Sequence, residues 1–185
     1  MTQSAASNAT RGRFITFEGG EGAGKSTQAR MLAAALQERG IKVDLTREPG
    51  GTKGAEAIRK LLLNPPGHAG WTPEAEALLF AAARSDHVTQ RIHPALETGA
   101  WVVCDRFVDS SRAYQGGAGG LGDDAISALH TFGSAGLRPD LAILVTVSKE
   151  RVAERLAARD AGVSDAIGGR GAQYHARVAA AFEDL

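Results

Sequence analysis

The segment Gly19-Gly20-Glu21-Gly22-Ala23-Gly24-Lys25-Ser26 places two glycines, a lysine and a hydroxyl at the spacing G-x-x-x-x-G-K-S/T. That spacing suits phosphate chemistry. Glycines let backbone N–H groups turn inward around phosphate oxygens, and a helix opening near Lys25 aims its positive dipole end at the anion. Lys25 can reach β- and γ-phosphates, and Ser26, followed by Thr27, offers a hydroxyl to Mg2+. A chain with 23 glycines can match such a pattern by chance. The context argues otherwise, because the apolar run Phe14–Phe17 precedes the motif as a strand and Ser26–Arg39 follows it as a helix. Ala29, Leu32, Ala33 and Leu36 share one face of that helix, and Gly40 stops it. The loop alone does not separate a kinase from a GTPase or a motor.

Four further groups of residues could act beside it. Val102-Val103-Cys104-Asp105-Arg106 reads as a strand ending in an acid and a base. In an open α/β sheet that end faces the ligand crevice, where Asp105 can order the waters of Mg2+ or the attacking oxygen and Arg106 can hold developing phosphoryl charge. A solvated Asp–Arg pair at a strand end has the same sequence. Thr46-Arg47-Glu48-Pro49-Gly50-Gly51-Thr52 follows another strand and puts a cation, a carboxylate and a rigid turn on the same rim; alone it reads as a tight turn with solvated charges, and its position at the rim points to substrate contact. Phe80 and Arg84 stand four apart on a helix and share a face. A ring beside a guanidinium suits a flat base, although a core Phe with a surface Arg would look the same. Ser110, Ser111 and Tyr114 share a helical turn just after Asp105-Arg106.

The elements that must position these residues alternate. Strands are expected over Phe14–Phe17, Ile41–Leu45, Val102–Cys104 and Leu141–Val147. Helices are expected over Ser26–Arg39, Ala55–Leu63, Thr72 to about Thr98 with a kink before Pro94, Asp109–Gln115, Asp123–Phe132, Lys149–Arg159 and Ala172–Leu185. Gly116–Gly120 reads as a flexible loop. The pattern predicts an α/β fold, a parallel sheet sandwiched by helices.

Composition narrows the function. With 185 residues, 43% of them hydrophobic, one globular domain over 13–185 is expected, preceded by a disordered tail over 1–12 without a secretory signal. Lys+Arg and Asp+Glu are equal at 21 each, which argues against a nucleic-acid or anionic-membrane surface. No run approaches the roughly 18 apolar residues of a membrane span. The single cysteine, Cys104, lies in an apolar run and reads as a buried small hydrophobe in a reducing, cytoplasmic setting.

In this order the motifs resemble the thymidylate kinase family of bacterial type. The resemblance rests on Phe17-Glu18-Gly19 through Ser26-Thr27, on Thr46 to Thr52, on Asp105-Arg106-Phe107 and on Ser110 to Tyr114-Gln115-Gly116-Gly117. Arg59-Lys60-Leu61-Leu62-Leu63 and Phe80 to Arg84 stand between them, and the likeness runs from Phe14 to about Arg159. It implies a P-loop NTPase fold with a lid segment, about 160–171, and transfer of phosphate from ATP to dTMP. ATP would lie along Gly19, Gly20, Glu21, Gly22, Ala23, Gly24, Lys25, Ser26 and Thr27, with Mg2+ on Ser26 and Asp105. Glu21 would face the deoxyribose 3′-hydroxyl, and Glu48 and Pro49 would stand on the substrate side. Arg59 and Arg106 would grip the dTMP phosphate, Phe80 would stack on thymine and Arg84 would bond its edge. Ser110, Ser111, Tyr114 and Gln115 would line base and sugar, Tyr114 excluding a 2′-hydroxyl.

The resemblance also implies a homodimer and a catalytic Arg. Some members carry that Arg in the loop, where this chain has Gly22; others bring it from the lid, which points to Arg159, with Arg155 and Arg170 as alternatives. The lid departs from the family pattern at Asp165-Ala166-Ile167-Gly168, and the family's closing strand and helix are expected to be missing from this sequence, which ends at Leu185. Competing readings are another nucleotide-directed kinase of the same fold, a GTPase-like switch, which would carry an Asn-Lys-x-Asp segment that is absent here, and a catalytically dead binding protein.

Overall fold

Two apolar strands set the centre of the molecule. The computed structural model describes residues 11–67, 70–148 and 166–185. In β1 (Phe14–Glu18) every residue is buried, and β3 (Trp101–Asp105) is buried through its middle. Their side chains alternate between two packed layers, so the sheet is covered on both faces. Phe14, Val102 and Cys104 face a cluster with Val88, Ile92, Leu96, Phe107 and Val108; Ile15, Phe17 and Val103 pack on Ala29, with Leu32 and Leu36 beside it. The four strands, completed by β2 (Val43–Arg47) and β4 (Leu141–Leu144), run parallel in the order β2-β3-β1-β4.

Register decides what meets at the carboxyl rim. Phe17 pairs with Asp105, and Arg47 with Asp105 from the other side. The chain leaving β1 as the glycine loop and the chains leaving β2 and β3 therefore emerge on neighbouring strands. The helices are α1 (Lys25–Glu38), α2 (Lys53–Leu63), α3 (Pro73–His87), α4 (His93–Glu97), α5 (Val108–Ser111), α6 (Asp123–Ser134) and α7 (Ala172–Glu183). Thr52 and Thr72 cap α2 and α3 by accepting from Ala55 N and Ala75 N, and Pro73 with Glu74 and Glu76 suits the first turn of α3.

Several boundaries differ from expectation. Between α3 and α4 the chain does not break but widens into a π-helical turn, Val88–Ile92, closed by His93 N donating to Val88 O. Pro94 lacks the N–H that would continue regular pairing, and the extra residue absorbs that loss. Gly116, Gly117 and Ala118, expected in a flexible loop, complete a second π-helical stretch, Arg112–Ala118. Packing against α7 overrides the glycine signal: a side chain on Gly117 would meet Ala181 Cβ at 2.6 Å, and Tyr114 and Ala118 join Val178 and Phe182 in a third apolar cluster. β2 begins at Val43 and takes in Thr46-Arg47, which had read as a turn, because both pair in register with Cys104-Asp105. β4 ends at Leu144 rather than Val147. Of the expected disordered tail over 1–12, residues 11 and 12 are described and are not free: Gly12 is buried with its N donating to Leu96 O, and Arg11 pairs with Asp140. Residues 1–10, the helix Lys149–Arg159 and the first part of the lid, to Asp165, lie outside the described residues.

Candidate active site

The glycine loop joins β1 to α1. Gly24, at φ +100°, turns the chain into the helix, and no side chain caps α1. The first N–H groups of a helix lack intrahelical partners, and at the end of a glycine loop they suit an anion. Lys25 is buried and its Nζ donates to Gly20 O at 2.6 Å, folding the side chain back along the loop. Burial, with the nearby Arg106 charge, pushes the Lys25 ammonium down to about 7; Glu21 and Asp105 oppose the shift.

Ser26 Oγ donates to Asp105 Oδ2, joining the helix start to the end of β3. The other carboxylate oxygen, Asp105 Oδ1, is buried and has no hydrogen-bond partner among the described residues. A carboxylate with one buried unpaired oxygen beside a serine hydroxyl and a phosphate-type loop has the donor chemistry of a Mg2+ site.

Arg106 follows Asp105 in a left-handed conformation, φ +74°, which a non-glycine side chain adopts at a cost on the order of 1–3 kcal/mol. The turn is held by Arg106 N donating to Phe17 O and by Phe107 N donating to Glu18 Oε1. Its guanidinium makes four bonds: Nη1 donates to Gly19 O and Ser110 Oγ, and Nη2 to Glu21 Oε1 at 2.6 Å and the Tyr114 hydroxyl at 3.1 Å. Burial alone would lower its pKa; Tyr114, Glu21 and Asp105 outweigh burial and keep it charged. Burial pushes the Tyr114 phenol up to about 12, so it remains a neutral donor, with Glu21 Oε1 3.4 Å away.

The base-side residues sit on α3 and beyond. Arg84 is buried and bonded through Nε to Glu48 Oε2 at 2.7 Å and through Nη2 to Phe107 O and Ser111 Oγ. Glu48 in turn meets His87 Nδ1 at 3.0 Å, and His87 Nε2 lies 2.7 Å from Thr46 Oγ1. Burial would raise the Glu48 carboxyl, but Arg84 and His87 hold it below the usual range. Arg59 Nη1 donates to Pro49 O at 2.8 Å, which fastens α2 to the turn after β2. Gln115 Nε2 donates to the buried Glu76.

A cleft of about 390 Å³ connects these groups. It is lined by Glu21, Gly22, Gly24 and Lys25 to Thr27 on the loop side, by Glu48, Pro49 and Arg59 on the turn side, and by Phe80, Arg84, Asp105, Arg106, Ser110, Ser111, Tyr114 and Gln115. That volume lies within the range of small-ligand pockets. Of the residues singled out in the sequence, Gly19, Gly20 and Ala23 belong to the loop without lining this cleft, and Arg159 and Arg155 lie outside the described residues; the other site residues are brought together on it. Arg170, the alternative, is committed elsewhere: it pairs with Glu76, donates to the Tyr174 hydroxyl at 2.7 Å and lies over the Tyr174 ring. Sequence reasoning missed Glu18, Glu76 and His87, the last although it follows Arg84 by three positions on the same helix face. It also missed Leu63 and Ile167, which close the apolar end of the cleft.

A phosphate loop opening a helix, flanked by the Asp105–Arg106 strand end in a parallel sheet, defines a P-loop nucleotide-binding protein. The profile of the thymidylate kinase family matches residues 17–185. A thymidylate kinase of Rhizorhabdus wittichii is 58% identical over 174 residues, covering 94% of this chain and 83% of its own length. One from a Bradyrhizobium species is 50% identical over 176 residues, 95% and 77% of the two chains, and one from Rhodopseudomonas palustris is 47% identical over 178 residues, 96% and 77%. The chain belongs to the thymidylate kinase family.

Proposed function

We propose that this protein phosphorylates dTMP to dTDP with ATP as donor and Mg2+ as cofactor. The observation that carries the reading is one cleft bounded at one end by the glycine loop with Lys25 and at the other by Phe80, Arg84, Tyr114 and Gln115, with Asp105 and Arg106 between them. Phosphoryl transfer asks little covalent chemistry of a protein and much positioning, which is what such a cleft supplies. In this reading the loop amides and Lys25 hold the ATP phosphates, while Arg59 and Arg106 grip the dTMP phosphate. Phe80 stacks on the base, Arg84 and Gln115 read its edge, and Glu21 and Tyr114 meet the sugar. Ser26 and Asp105 would hold Mg2+, which neutralises charge on the phosphates when bound. Arg159 supplies the further cation that Gly22 leaves out of the loop.

The same reading makes residues 13–185 one kinase domain with a lid about 160–171, acting as a homodimer in the cytoplasm. Among the described residues no helix is long and apolar enough to cross a membrane. The test is a panel of nucleoside monophosphates with Mg-ATP. Turnover should be best with dTMP, lower with dUMP and poor with dCMP, AMP and GMP; faster turnover of AMP or GMP would replace dTMP with a purine substrate.

A further inference from the structure

We propose that Glu18 is a positioning residue for Arg106: its buried carboxylate holds both the left-handed turn and the Ser110 hydroxyl that together aim the guanidinium at the phosphate loop. The inference rests on the reading above, in which Arg106 grips the dTMP phosphate.

Glu18 ends β1 with 3% of its surface exposed, an unusual place for a carboxylate: burial pushes its pKa up to about 7, against the Ser110 hydrogen bond and the Arg106 and Arg84 charges. Both oxygens are used. Oε1 accepts from Phe107 N at 2.8 Å, the amide that follows Arg106, and Oε2 accepts from Ser110 Oγ at 2.6 Å. Ser110 Oγ also accepts from Arg106 Nη1 at 3.0 Å. The hydroxyl has one proton, so with Glu18 ionised, as it is above about pH 7, the direction of the chain is fixed: Arg106 donates to Ser110, and Ser110 donates to Glu18. One carboxylate therefore grips Arg106 at its backbone and, through Ser110, at its side chain. A left-handed arginine persists only where its surroundings over-determine it, and Glu18 supplies that constraint from inside the sheet.

Glutamine at this position has the same shape but cannot accept twice with its amide group. If its NH2 faces Ser110, the hydroxyl receives two donors and its own proton has no acceptor; if it faces Phe107, two donors oppose each other. Glu18→Gln thus breaks one link and leaves the volume of the core unchanged.

The test is steady-state kinetics on the full chain for wild type, Glu18→Gln, Arg106→Ala and the double variant. Glu18→Gln is expected to lower kcat/KM for dTMP about tenfold or more while KM for ATP stays within about twofold. Added to Arg106→Ala it should cost nothing further, because both act through one guanidinium. Wild-type dTMP kinetics in Glu18→Gln, an equal loss for both substrates, or full additivity with Arg106→Ala would overturn the inference. If Arg106→Ala is itself harmless, the reading of the site fails and this inference with it. Should Glu18→Gln not fold, Ser110→Ala cuts the same link from the other end and must show the same dTMP-selective loss; unchanged kinetics there overturns the proposal.

Discussion

Arg84 reaches Glu48 at 2.7 Å with the two side chains only 4% and 3% exposed, so an arginine of the base pocket is also half of an interior ion pair. Removing one partner of such a pair leaves the other charge buried and uncompensated. Arg84→Ala is therefore expected to lower unfolding free energy by about 3–5 kcal/mol as well as weakening dTMP binding. The Glu48 side of the pair has a lowered carboxyl pKa, so its stabilisation is complete above 4.5 and is lost as pH falls through the lowered value. Denaturant titrations at neutral and acidic pH measure both effects; a loss under about 1 kcal/mol would mean that Glu48 finds another cation.

Gly51 lies against the far end of the same network. At φ +92° an added Cβ would stand 2.5 Å from His87 Nε2 and 2.6 Å from Thr46 Oγ1. Gly51→Ala must part the His87–Thr46 bond and strain the turn, a cost of roughly 1–2 kcal/mol from the backbone alone. Thermal unfolding should show the loss, and an unchanged midpoint would indicate that the turn relaxes freely.

Lys25 gives the ATP site a pH signature. Its folded pKa is lowered from 10.5 to about 7, so the folded chain holds this proton less tightly than the unfolded one, and stability rises with pH across that window. Bound phosphates favour the ammonium, so ATP binding should take up protons between about pH 7 and 10, and affinity should fall as pH rises there. Calorimetry in two buffers of different ionisation enthalpy at pH 8.5 reads the uptake. A zero value contradicts the shift, and near-normal kcat in Lys25→Ala would remove the residue from phosphate binding altogether.

Arg159 and Arg170 should separate cleanly. Arg170 is occupied by Glu76 and Tyr174, and Arg170→Ala should cost about 1–3 kcal/mol of stability with kcat within a few-fold. Arg159→Ala should lower kcat by roughly 10²-fold with little change in melting temperature. The reverse pattern would make Arg170 the catalytic cation.

What the sequence revealed depended on range. Gly19–Ser26, Asp105–Arg106 and the Phe80/Arg84 face carry local signals of spacing, strand end and helix periodicity, and all three are found on one cleft. Glu18, His87 and Glu76 act through partners 92, 39 and 39 residues away, and no local pattern announces such a bond. Glu18 left one trace, an acid closing an otherwise buried apolar strand. The glycines at 116 and 117 misled for the opposite reason: their local signal is loop-like, and only the closeness of Gly122 and Ile126 to the first and of Ala181 to the second shows why small residues stand in a helix there.

Cys104 sits at the middle of β3 with none of its surface exposed, its thiol donating to Arg106 O, and burial, with the carboxylates of Glu48, Glu18 and Asp105, pushes its pKa well up. An alkylating reagent can modify it only when the central sheet opens. The chain thus carries its own clock for global opening: the labelling rate of this single thiol, with and without nucleotide, reports how firmly ligands hold the sheet shut, with no probe added.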